Sequence, residues 1–175
     1  MLKLVTVLFA DVVGSTARAE ALHPEDVRAV MADYFEAMAD EIRAEGGTLE
    51  KFVGDAIMAV FGVPSAHEDD AIRAVRASRR MLERLREWNA GRGDAERLEI
   101  RIGLETGDVI ASGDASGELL VTGDSVNVAA RLQQVAEPGT IVVGDRAARA
   151  VRSHFDRREI EGGLDLKGKS EPVAA

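Results

Sequence analysis

The first apolar run, LKLVTVLFA at residues 2–10, is nearly continuous, rich in Val and Leu, and stops at Asp11, so it reads as a buried strand. The stretch after it, VVGSTARAEAL, carries Gly14, Ser15 and Thr16, residues that favour a turn or cap before a helix. From Pro24, with Glu25 and Asp26 behind it in a first turn, Val27, Val30, Met31, Tyr34, Phe35, Met38 and Ile42 recur at the helical period until Gly46 and Gly47. Two strand-like runs, TLEKFV and AIMAVF, are then separated only by Gly54 and Asp55, the spacing of a tight hairpin with Asp55 at its tip. A second amphipathic helix is predicted over residues 67–88, with Ile72, Val75, Met81, Leu82, Leu85 and Trp88 on its apolar face. RLEIRIGLETGDVIA alternates apolar and polar positions as a half-buried strand does, and Gly103 and Gly107 within it mark bends or close approaches. The short run LLVTG, a helix over residues 124–135, a strand at TIVVG and a short helix over residues 145–151 complete the pattern.

The order strand, helix, hairpin, helix, strand predicts an α+β fold: a ferredoxin-like βαββαβ core followed by a C-terminal αβ extension. In such a unit the first two strands run parallel, so the end of the first and the turn after the second lie at one edge of the sheet. Asp11 and Asp55 meet there.

Composition narrows the function classes. A chain of 175 residues with 46% hydrophobic side chains suits one domain over residues 1–175 and excludes disorder. No apolar run approaches the roughly 20 residues that cross a bilayer, so this segment calls for no membrane. The tail EIEGGLDLKGKSEPVAA breaks off as a strand is about to begin at Val173, which reads as a piece of a larger protein with further, regulatory domains. There are no cysteines, which excludes disulfides and thiolate sites and fits a reducing, cytoplasmic location. With a net charge of −9 the chain lacks the basic field of a nucleic-acid partner, and an anionic small ligand would need metal ions or local basic residues.

Two carboxylates at one sheet edge are hard oxygen ligands suited to magnesium or manganese. Free backbone N–H groups around Gly14, Ser15 and Thr16 would cradle a phosphate. Together they point to phosphoryl or nucleotidyl transfer with two metal ions. The plainer alternative is that Asp11 caps a helix and Asp55 only forms a turn.

Five segments occur in order that resemble the class III nucleotide cyclase catalytic domains over nearly the whole chain: FADVVGST from Phe9, EKFVGDAIMAVFG from Glu50, RIGLETGDV from Arg101, GDSVNVAARL from Gly123 and LKGK from Leu166. The resemblance implies that Asp11 and Asp55 hold two ions of Mg2+ or Mn2+ per site, with the carbonyl of Val12 as a further ligand. It implies that Lys51 selects adenine and that Asn127 and Arg131 orient the ribose and stabilise the transition state. Those last two are four residues apart on one helix and share a face. Lys167, and with it Lys169, would contact the triphosphate. One position departs from the family pattern. Three residues before Gly123, where members that use ATP usually place an acidic residue or threonine, this chain has Leu120, which accepts no hydrogen bond. Base selection then rests on Lys51, on backbone carbonyls or on Thr122.

The implied activity is conversion of ATP to 3′,5′-cyclic AMP and pyrophosphate in a homodimer with shared sites, the aspartates coming from one subunit and Lys51, Asn127 and Arg131 from the other. Leu120 favours two alternatives, a nucleotide-binding regulatory module with little turnover or a cyclase with relaxed ATP/GTP selectivity. Lys51 disfavours a strict guanylyl cyclase, because guanine presents a donor where adenine presents an acceptor. A ferredoxin-like RNA-binding module would need stacking aromatics, and Phe, Tyr and Trp make up only 4% of the chain.

Overall fold

A computed structural model describes residues 1–14, 23–94, 96–113, 119–156 and 158. The elements run β1 (Leu2–Val12), α1 (Pro24–Ala44), β2 (Thr48–Val53), β3 (Ala56–Phe61), α2 (Asp70–Ala90), β4 (Ile100–Gly113), β5 (Leu119–Thr122), α3 (Asp124–Val135), β6 (Ile141–Val143) and α4 (Asp145–Val151). The strands form one sheet in the order β2-β3-β1-β4-β5, with β6 added in parallel beside β4. The first five elements and β4 are the expected ferredoxin-like βαββαβ core, and β5 to α4 form the extension.

β1 and β2 both pair antiparallel with β3 and therefore run parallel to each other. Asp11 lies opposite Ala56, next in the chain to Asp55. The nearly continuous apolar character of β1 follows from its central place, because both of its faces are covered. Leu8, Ala10 and Val12 join Ile57, Ala59, Phe61, Ile100, Ile102 and Leu104 beneath α1 and α2. Val5, Val7 and Phe9 look the other way, where Met58, Val60 and Val109 meet Val121 of β5 and Val126 and Ala129 of α3. This second face is the one that carries the site.

Gly103 and Gly107 are close approaches rather than bends. Pairing between β1 and β4 runs unbroken from Leu2 opposite Ile110 to Val12 opposite Ile100. A Cβ on Gly103 would stand 2.3 Å from the Gln133 amide nitrogen and 2.4 Å from the Ala129 carbonyl oxygen, and one on Gly107 would stand 2.0 Å from Ser125 Oγ. The backbone of α3 is thus seated directly on β4.

Two boundaries differ from the pattern reading. α2 begins at Asp70, whose carboxylate accepts from the His67 amide at 2.7 Å, so residues 67–69 form the turn before the helix. β4 begins at Ile100 instead of Arg97, because Leu98 is held elsewhere: the Leu98 amide donates to Asn89 Oδ1 at 2.9 Å and Asn89 Nδ2 donates to the Leu98 carbonyl at 2.8 Å. At its far end β4 continues to Gly113 because β5 pairs with residues 110–113. Among the described residues no helix is long and apolar enough to cross a membrane.

Candidate active site

Asp11 stands one residue from the end of β1, beside Arg101 of β4 in the strand register and beside the β2–β3 turn that carries Asp55. Gly54 makes that turn in a left-handed conformation, φ 61°, and Gly14 does the same just past β1 at φ 68°. Burial pushes the Asp11 carboxyl above its usual range. The Arg101 guanidinium and the Val12 N–H oppose the shift, and the nearby Asp55 charge adds to it. The two carboxylates therefore form a repelling pair whose charge the protein only partly offsets.

Two further groups surround the pair. Tyr34 of α1 is fully buried, its hydroxyl has no hydrogen-bond partner among the described residues, and burial followed by the charges of Asp11 and Asp55 drives its titration upward. Gln133 of α3 is also buried, and its side chain favours the ionised form of Asp11. Sequence reading placed Tyr34 on an ordinary apolar helix face and assigned Gln133 nothing. Arg101 was visible only as the first residue of a family segment, since its place opposite Asp11 depends on strand pairing.

The donor set fits a divalent cation. Two adjacent carboxylates are hard oxygen ligands, and Val12, whose side chain is in the core, has its N–H beside the Asp11 carboxylate. Among the described residues no group of three or more His, Cys, Asp and Glu side chains could hold a metal ion, and magnesium sites with one or two carboxylates commonly complete their coordination with water and substrate phosphates.

A second group forms where β5 folds back over the second face. Lys51 lies opposite Met58 of β3, on the face lined by Val60 and Val121. Leu120 and Thr122 of β5 are exposed, opposite Ser112 and Ile110. Although β2 and β5 are at opposite ends of the strand order, the Val121 amide reaches Glu50 Oε1 at 3.4 Å. Lys51 and the Leu120–Thr122 segment are thereby gathered.

On α3, Val128, Ala129, Leu132 and Gln133 form the buried face, while Asn127 is exposed and Arg131 half-buried. Neither Asn127 nor Arg131 has a hydrogen bond or ion pair with the described residues, so Arg131 is not spent on a helix salt bridge. Among the described residues, the charges acting on Asp11 are Arg101 and Asp55; Lys51 and Arg131 are not among them. Ser15, Thr16, Lys167 and Lys169 lie outside the described residues. His67 pairs with Asp70 at 3.4 Å beside the start of α2, and His154 is exposed next to Ser153, both away from this chemistry.

A ferredoxin-like sheet that presents an aspartate pair at one edge, beneath a helix whose Asn and Arg have no partner among the described residues, is the architecture of a nucleotide cyclase domain. The model of the adenylate and guanylate cyclase catalytic domain matches residues 2–174, and the chain belongs to that family, the class III cyclases. It is 30% identical to an adenylate cyclase of Anabaena cylindrica over 97% of this chain and 35% of that protein. It is 32% identical to an adenylate cyclase of Mycobacterium tuberculosis over 94% of this chain and 37% of that one. The chain therefore spans about a third of the length of the curated relatives it matches. Among solved structures, the adenylyl cyclase CyaB from P. aeruginosa superposes with a TM-score of 0.88 at 32% identity, covering 99% of this chain and 92% of that one. The guanylyl cyclase Cya2 superposes with a TM-score of 0.86 at 34% identity, covering 99% and 90%. Relatives of both base specificities are thus about equally similar.

Proposed function

We propose that this domain converts ATP to 3′,5′-cyclic AMP and pyrophosphate, at two sites shared between the subunits of a homodimer. The observation that carries the proposal is the convergence of Asp11 and Asp55 at the open sheet edge, with negative charge only partly offset and so attractive to cations. Two Mg2+ or Mn2+ ions, when bound there, supply Lewis acidity to the ribose 3′-hydroxyl and positive charge to the phosphates. The chain's own groups do the rest. Asp11, Asp55 and the Val12 carbonyl hold the ions. Backbone N–H groups of Gly14, Ser15 and Thr16, with Arg101 beside Asp11 and Lys167 from the tail, bind the triphosphate. Lys51 donates to an acceptor nitrogen of the adenine ring. Asn127 orients the ribose so that its 3′-oxygen lies in line with the α-phosphorus. The new O3′–Pα bond forms as the bond from Pα to the oxygen bridging it to the β-phosphorus breaks, the 3′-hydroxyl proton passes to solvent water and pyrophosphate leaves. Arg131 faces the oxygens on which charge accumulates.

The two-subunit arrangement is supported by what each chain leaves unused. Asn127 is exposed, Arg131 has no ionic partner among the described residues, and neither Arg131 nor Lys51 contributes to the charge around the same chain's Asp11. Val53 and Leu120, 51% and 46% exposed, are apolar surface near this group that a second copy would cover. Residues 1–175 would be the catalytic domain of a longer cytoplasmic protein with regulatory domains, in keeping with relatives about three times as long.

Leu120 supports a second reading, a cyclase of relaxed ATP/GTP selectivity or a nucleotide-binding regulatory module. Incubating the purified domain with Mn2+ and either ATP or GTP, and weighing the product by mass spectrometry, separates the three. Cyclic AMP in large excess is expected. Comparable cyclic AMP and cyclic GMP would establish relaxed selectivity, and bound nucleotide without any cyclic product would establish the regulatory module.

A further inference from the structure

β2 contains a register break. Thr48 and Leu49 face Val60 and Ala59, but the next paired residue is Lys51, opposite Met58, so Glu50 is the extra residue of a β-bulge. In a regular strand residues 50 and 51 would point to opposite faces of the sheet. The bulge re-aims them so that the two side chains meet. Lys51 Nζ donates to Glu50 Oε1 at 3.1 Å and lies 3.0 Å from Oε2. The same Oε1 accepts from the Val121 amide at 3.4 Å. The Glu50 side chain is only 2% exposed, whereas that of Lys51 is 45% exposed. A carboxylate so buried is expensive to desolvate, and an apolar side chain would serve packing alone at lower cost.

We infer that Glu50 is a positioning residue that aims the Lys51 ammonium and holds β2 against β5, and so sets how strictly adenine is chosen over guanine. The inference rests on the cyclase reading of Lys51 given above. A free lysine ammonium sweeps many rotamers about a flexible four-carbon stem, and so finds whichever acceptor a base edge offers, on adenine or on guanine. One fixed carboxylate partner directs the remaining N–H groups outward along a defined line. With Leu120 unable to accept from the adenine amino group, that direction carries a larger share of the discrimination.

The test compares Glu50→Gln, Glu50→Asp, Lys51→Met and the double variant Glu50→Gln/Lys51→Met, measuring dissociation constants and kcat/KM for ATP and for GTP. Glu50→Gln should melt near the wild-type temperature, raise KM for ATP with kcat within about twofold, and narrow the ATP:GTP ratio by about fivefold, the scale of one hydrogen bond. Glu50→Asp should recover part of the ratio. In the Lys51→Met background, Glu50→Gln should leave the ratio where Lys51→Met alone puts it. An unmoved ratio in Glu50→Gln overturns the inference. So does an equal change with and without Lys51, which would mean that Glu50 acts through packing. Failure of the cyclase reading looks different: neither nucleotide yields a cyclic product, while the ratio of dissociation constants still reports on Glu50.

Discussion

Burial, and after it the nearby Asp55 charge, raise the cost of ionising Asp11, so the site is electrostatically unfavourable in the absence of cations. Asp11→Ala and Asp55→Ala should therefore leave the melting temperature of the metal-free domain unchanged or raise it, a gain of up to about 1 kcal/mol once solvent screening is allowed for. Each should cost about a thousandfold or more in turnover, the several kcal/mol that metal ions contribute to such a transition state. Near-normal activity with unchanged Mn2+ dependence in either variant would rule out the metal assignment. A second carboxylate, Glu105 of β4, has a different consequence. It lies against Gly144, where a Cβ would fall 1.8 Å from Oε2. Burial, and then the acidic neighbours Asp145 and Asp124, push its carboxyl up to about 7 from the usual 4.5, against the pull of the Thr106 amide and Arg146. The folded state thus holds a proton there that the unfolded chain releases near pH 4.5. This contribution to stability is fully present below about pH 4.5 and is lost as pH rises towards and through 7. Glu105→Gln should remove that loss, so the variant gains on the wild type by about 1–2 kcal/mol between pH 4.5 and 8, discounted for partial exposure. Chemical denaturation at a series of pH values measures it, and parallel stability curves would refute it.

At the scale of elements, the site depends on where α3 sits. Its backbone rests on Gly103 and its Ser125 side chain on Gly107, and Asn127, Arg131 and Gln133 take their places from that seat. Gly103→Ala would press a methyl group into the Ala129 carbonyl and the Gln133 amide, backbone atoms that cannot rotate aside. The expected cost is about 3 kcal/mol or more, the upper end for overpacking. Activity should fall further than stability explains at a temperature where the variant is still folded, because displacing the helix moves both Asn127 and Arg131. Unchanged kcat/KM in a folded Gly103→Ala domain would show that α3 does not position the chemistry. The β4–β5 pair would play a similar part for the base in the proposed reaction, because β4 continues to Gly113 and pairs there with β5 over the second face.

For the whole molecule, the proposed division of the site between two copies makes complementation possible. Asp55→Ala and Arg131→Ala should each be nearly inactive. In an equal mixture, half of the dimers formed by random pairing are mixed, and each of those has one site with both lesions and one with neither. Activity should recover to about a quarter of wild type, the statistical limit for two-fold pairing. Subunit exchange is followed with a labelled chain. Exchange without recovery would place the complete site within a single subunit.

Much of this was legible in the chain itself. Strand and helix periods, the Gly54–Asp55 turn and the order of elements located Asp11 and Asp55 at one edge, because topology alone makes β1 and β2 parallel. Asn127 and Arg131 were placed on one helical face by their spacing. Other features arise only between segments far apart in sequence. The bulge that turns Glu50 towards Lys51 is a property of the pairing between β2 and β3, and no one-dimensional pattern encodes it. Arg101 stands beside Asp11, and Tyr34 and Gln133 act near it, because a sheet register and two helix seats converge there, although Tyr34 reads along the chain as one more apolar position of a helix. Gly103 marks itself in the sequence as an oddity within a strand. That it leaves room for a helix backbone, rather than making a bend, was decided by tertiary packing, since only the packed α3 supplies the atoms that a side chain would meet.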